Sequence, residues 1–169
     1  MRNPLIASSL LAGLALIATG ARADSLDKAF VQKAAKGGMA EVEMGKVAQD
    51  KAANAQVKKF AGHMVNDHTK ANDELKSIAD KKGVPLPSGP DSSQKKDGEK
   101  LKSLSGAAFD REYMTHMVAD HKATVAEFEK EAANGQDADV KAFAAKTLPT
   151  LREHMKEAQA THDAVAKGL

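Results

Sequence analysis

The sequence predicts an all-α domain folded as a four-helix bundle, and three observations predict it. Beyond residue 24 the chain is rich in Ala, Lys, Glu, Gln and Met, which favour helix, and poor in the β-branched and aromatic residues that strands prefer. Apolar residues recur there in a 3-4 stagger over four segments, about 26–52, 54–82, 106–133 and 137–167. Cysteine is absent from all 169 residues, so helix packing must hold the domain without disulfides or thiolate metal sites.

The N-terminus is read first because it changes the charge arithmetic. Arg2, an apolar run from Leu5 to Ala18 and the Ala21-Arg22-Ala23 cleavage pattern read as a secretory signal over 1–23, which leaves a single domain over 24–169 in the periplasm or outside the cell. Removing Arg2 and Arg22 leaves 23 basic against 23 acidic residues. A neutral chain has no basic field for phosphates, so nucleic acid is not an expected partner. No long apolar run follows the signal, so no transmembrane segment is expected in the mature chain. The sequence identifies no protein partner.

Punctuation bounds each helix in turn. Segment 26–52 is interrupted by Gly37-Gly38, which weaken a helix but let a neighbouring backbone approach closely. Asn54 can cap the second segment, and Gly83-Val84-Pro85 ends it. Gly106 precedes the third and Asn134-Gly135 closes it; Asp137 can cap the fourth, where Pro149 is expected to bend the helix or split it into 137–147 and 149–167.

Between the second and third segments, residues 83–105 carry three prolines and a lysine-rich stretch able to form a short helix near 94–104. This connection is long enough to run the length of a bundle, which makes the expected topology a ferritin-like one, with a long crossover and the second and third helices parallel. An internal similarity agrees. Phe60 to His68 recurs fifty-three residues later as Tyr113 to His121, with His-Met-Val-x-Asp-His in common.

One register through each helix gives a nearly unbroken apolar stripe, and each stripe has one polar interruption near mid-helix. In the second segment it is His68, among Val57, Ala61, Met64, Ala71, Leu75 and Ile78; in the third it is His121, in the fourth His154, and in the first Glu41, with Val42 competing for that face. Rise per residue puts all four at similar heights. Three imidazoles and a carboxylate facing one another form a ligand set that one ion of Zn, Fe, Mn, Ni or Cu accepts. Met64 and Met117, one turn before His68 and His121, offer thioethers that would suit Cu(I), or they are core filler. Asp67 and Asp120 are expected either to pair with His63 and His116 at i, i+4 or to orient neighbouring imidazoles as outer partners. The competing reading makes the three inward histidines hydrogen-bonded core residues, with Glu41 paired to one of them.

The stretch Phe30 to Val42, the Phe60–His68 motif, the segment Gly106 to His121 and Ala145 to His154 together resemble the bacterial exported family catalogued as domain of unknown function 4142. The resemblance implies a ferritin-like four-helix bundle and an envelope address, and it brings no activity with it. Ferritin-like di-iron sites draw on Glu-x-x-His, which occurs nowhere in this chain, so no di-iron centre is expected and a mononuclear histidine-rich site is the better match. No serine-nucleophile motif or phosphate loop indicates a metal-free enzyme. The expected function is metal storage, buffering or envelope stress tolerance; the alternative is a non-catalytic periplasmic interaction or stress protein with structural histidines.

Overall fold

The computed structural model describes residues 15–168, with side chains from Asp27 onward. The secretory signal expected at 1–23 lies outside the described residues except for the helical backbone of 15–23. The order is α1 (Ala15–Lys51), α2 (Ala55–Lys82), α3 (Ser92–Lys102), α4 (Gly106–Asn134) and α5 (Ala138–Ala166), with no strand among the described residues. The first helix therefore begins well before the expected start at 26. No helix among the described residues is long and apolar enough to cross a membrane.

The helix ends follow the side chains that satisfy them. The Asn54 carboxamide accepts from the backbone N–H groups of Gln56 and Val57, and Asp137 does the same for Asp139 and Val140. Gly83, at φ 63°, ends α2 in the left-handed conformation, and the Val84 N–H reaches back 2.9 Å to the Ala79 carbonyl. Asp91 and Gln94 close a reciprocal capping box at the start of α3, so the lysine-rich connection does contain a helix. Helix α5 runs unbroken through Pro149, contrary to the expectation of two pieces. Pro149 is exposed, and so is Ala145, whose carbonyl it leaves without its usual donor.

Contacts at the two ends define the topology. At one end, Asp27 in α1 accepts from the N–H groups of Gln136 (3.0 Å) and Asp137 (2.6 Å), while Lys82 at the end of α2 pairs with Asp137. At the other, Asp110 in α4 accepts from the N–H groups of Ala53 (3.1 Å) and Asn54 (2.9 Å). Each helical hairpin, α1–α2 and α4–α5, thus has its turn clamped by a buried aspartate of the other. The starts of α2 and α4 share an end, so these helices run parallel on diagonal corners, and the 83–105 connection crosses the bundle's length with α3 against α1 and α4. This is the expected crossover bundle.

The core has two apolar halves. One holds Met44, Phe60, Met64, Phe109, Tyr113 and Met117; the other holds Val31, Leu75, Val125, Phe128, Phe143 and Leu151. Between them lies a polar layer. Close packing of α1 on α2 uses two glycines: a Cβ on Gly38 would collide with the Asn72 side chain, and one on Gly45 would lie 2.9 Å from Val65 Cγ2 and 3.1 Å from the Ala61 carbonyl. Gly37, expected to act with Gly38, has open space around it instead.

Candidate metal centre

His68, His121 and His154 enter the polar layer from α2, α4 and α5, each at the apolar-stripe position that the 3.6-residue period turns inward. They are 8%, 1% and 4% exposed. Their ring centroids form a nearly equilateral triangle with sides of 5.8, 5.5 and 5.5 Å. One nitrogen of each lies within 4.8 Å of one nitrogen of the other two. An ion about 2.0 Å from three imidazole nitrogens needs them about 3.5 Å apart, which side-chain movements of about 1 Å supply.

Hydrogen bonds assign the tautomers. His121 Nδ1–H donates to the Met117 carbonyl at 3.0 Å, which leaves Nε2 as the lone pair. His154 Nε2–H donates to Asp67 at 3.1 Å, which leaves Nδ1. The remaining buried nitrogens, His68 Nε2, His121 Nε2 and His154 Nδ1, have no hydrogen-bond partner. Three buried ring nitrogens without a partner, two of them fixed as acceptors, are costly for a purely structural cluster, because each forgoes the bond that water gave it. An ion that accepts lone pairs supplies what all three lack.

Electrostatics keep those lone pairs free. Burial, followed by the neighbouring imidazoles His121 and His154, pushes His68 down to about 3. Burial and His154 push His121 down to about 4. His154 is also lowered by burial, against the upward pull of Asp67. At neutral pH the three rings are uncharged.

Glu41 arrives from α1, 2% exposed, with both carboxyl oxygens lacking a hydrogen-bond acceptor or donor of fixed hydrogen. Its Oε1 lies 3.8 Å from His121 Nδ1, and it groups with Asp120 and His121 rather than at the point shared by the three rings. Burial, then the facing Asp120 carboxylate, raises Glu41 well above the usual carboxylate range. Val42, the competitor for the inward face, is only half-buried. A cavity of about 90 Å³ opens beside this pair, between α1 and α4, with His68 and His121 in its wall.

Of the two roles expected for Asp67 and Asp120, pairing at i, i+4 or orienting a neighbouring imidazole, Asp67 takes the second. Asp67 reaches across to His154, and His63 pairs with Glu157 of α5 at 2.9 Å, because the α2–α5 seam brings those partners closer than their own helix does. Asp120 faces Glu41 instead of serving only His116. Met64 and Met117 are fully buried one turn above the rings, in the half-core with Phe60 and Tyr113. His162 is half-buried at the bundle end beside Asp163, away from the ring triangle. Sequence reasoning did not find the clamps Asp27 and Asp110. The signal was there: Asp110 sits beside Phe109 on the inward register, three residues before Tyr113.

A family model described as a domain of unknown function (DUF4142) matches residues 15–161. No curated protein matches the chain. Among solved structures, the chain is similar to CopM in the Cu(I)-bound form, with a TM-score of 0.68 at 18% identity, over 81% of this chain and 95% of that one. It is similar to CopM in the Ag-bound form to the same extent, with a TM-score of 0.67. At that identity the likeness establishes a common fold.

Proposed function

The chain belongs to the DUF4142 family, and from that premise we propose that it is an exported, periplasmic protein that holds one transition-metal ion between His68, His121 and His154 for storage or buffering in the cell envelope. The observation that carries the reading is the convergence of three buried, unpartnered imidazole nitrogens from three helices. Glu41 stands next to the site as a carboxyl able to become its counter-charge. Among the ions that accept imidazole, Cu(I) suits this layer best. Three neutral ligands bring no negative charge, and the cost of burying an ion rises with the square of its charge, so a monovalent ion is favoured over a divalent one. Met64 and Met117, close above the rings, add a soft, water-free surrounding that protects the reduced ion. The similar structures of CopM, in Cu(I)-bound and Ag-bound forms, support the same choice.

The test is elemental analysis of purified protein loaded anaerobically with Cu(I), wild type beside His68→Ala, His121→Ala and His154→Ala, with helical circular dichroism to establish that each variant folds. One ion per chain in wild type and none retained by the folded variants is the expected result. A folded wild type that retains no ion, and whose Tm ignores added Cu(I), Zn, Mn or Fe, would leave the histidines as structural residues, since an ion bound only by the native state must raise Tm.

A further inference from the structure

We infer that the ion reaches the three imidazoles through the cleft between α1 and α4, with Glu41 and Asp120 as its resting place on the way and the Lys33–Glu127 ion pair as the outer bar. This rests on the metal reading above and names the route by which that site exchanges its ion.

The bundle closes the other directions. Phe60, Met64, Tyr113 and Met117 pack without exposure on one side of the layer, and Leu75 and Leu151 close the other half-core. Along the α2–α5 seam, Asp67 is bonded to His154 and His63 to Glu157. On the α1–α4 side the packing is interrupted at Gly37, which brings no side chain and has open space around it. The cavity of about 90 Å³ runs there from His68 and His121, past Glu41 and Asp120, to Lys33 and Glu127. That volume holds several water molecules, or an ion with part of its hydration shell.

Glu41 distinguishes this cavity from a packing defect. Its carboxyl oxygens line the cavity, buried and unpartnered, opposite the Asp120 carboxylate. A cation entering with its water meets the Glu41 and Asp120 oxygens first and the free imidazole nitrogens next; the Glu41 carboxyl lies 3.8 Å from the His121 ring, at Nδ1, so the two donor sets adjoin. At the mouth, Lys33 and Glu127 join α1 to α4, both at least one-third exposed. The closed pair places an ammonium in the path of a cation; the opened pair leaves Glu127 to receive it.

The experiment follows release of Cu(I) from anaerobically loaded protein to a saturating coloured chelator. Lys33→Gln removes the bar and should speed release about 3- to 5-fold, the scale of an exposed ion pair. Gly37→Leu places a side chain into the mouth from a position with open space around it, replaces glycine with a better helix former, and should slow release about tenfold. Both should load the same Cu(I) per chain as wild type. His63→Ala, on the opposite seam, should leave the rate unchanged. Loaded protein whose release ignores Lys33→Gln and Gly37→Leu, or responds to His63→Ala instead, overturns the route and leaves the site standing. A wild type that takes up no Cu(I), or keeps it after His121→Ala, overturns the metal reading and the route with it.

Discussion

His154 gives its Nε2 proton to Asp67 across the α2–α5 seam, and that one bond decides which of its nitrogens faces His68 and His121. The carboxylate is one-third exposed while the ring is buried, so a partly solvated group orients a buried ring.

Asp67→Ala should therefore weaken the ion without removing it. The expected loss is about 10- to 100-fold in affinity, the usual effect of removing a carboxylate behind a metal-bound histidine. Asp67→Asn, whose carbonyl still accepts from Nε2, should recover part of it. Competition titration against a Cu(I) chelator reads both; equal affinities for all three proteins would deny the bond this role.

Stability of the ion-free protein should peak slightly below neutral pH. The folded-state values of about 3 for His68 and about 4 for His121, with His154 also lowered, lie below the unfolded imidazole value. From roughly pH 6.5 downward the unfolded chain therefore binds protons that the native state refuses, and stability falls until the folded values are reached. Glu41 is raised by burial and Asp120, and Glu131 is pushed up to about 7 by burial and Asp27, so their contribution has the opposite sign. It is complete below the unfolded carboxyl value and is lost as pH rises through the folded ones. Glu41→Gln is a neutral replacement of nearly the same shape, with no proton to lose. It should raise Tm more at pH 8 than at pH 5, and equal shifts at both would count against a protonated Glu41.

The glycines of α1 should separate by what surrounds them. Gly37→Ala meets open space and should stabilise the fold by about 0.5 to 1 kcal/mol, the difference in helix propensity. Gly45→Ala presses on Val65 and the Ala61 carbonyl, where backbone must move, and should cost about 1 to 3 kcal/mol. Urea unfolding of the two variants distinguishes them by sign.

Asp110→Ala should destabilise the bundle by about 2 to 3 kcal/mol, since it strips two backbone N–H groups of a charged acceptor where the first hairpin turns. Asp110→Asn retains an acceptor for only part of that pair and should fall between Asp110→Ala and wild type in Tm. A loss below about 0.5 kcal/mol for Asp110→Ala would mean that water replaces the clamp.

The helices were legible because their signals are local. Asn54, Gly83 and Asp137 each act on residues within one turn of themselves, so a cap can be read without knowing the neighbours. The inward histidines were legible for a related reason: an apolar stripe with a single polar interruption admits few registers, and His68, His121 and His154 all lie on the face that their stripes predict. Asp67 was harder to read. On its own helix His63 is the obvious partner at i, i+4, yet His63 turned to Glu157 and Asp67 to His154.

By itself the sequence determined four main helices, a crossover long enough to run parallel to them, and the faces that carry three imidazoles and one carboxyl inward. Periodicity and capping are properties of a single helix, and one strand of sequence contains them completely. Tertiary structure alone decided that the three rings face one another while Glu41 joins Asp120 beside them, that Asp27 and Asp110 clamp each other's hairpins, and that a cavity opens between α1 and α4. Those outcomes depend on the rotation and separation of helices about one another, which side-chain volumes such as the missing Cβ of Gly38 and Gly45 set only when two surfaces meet.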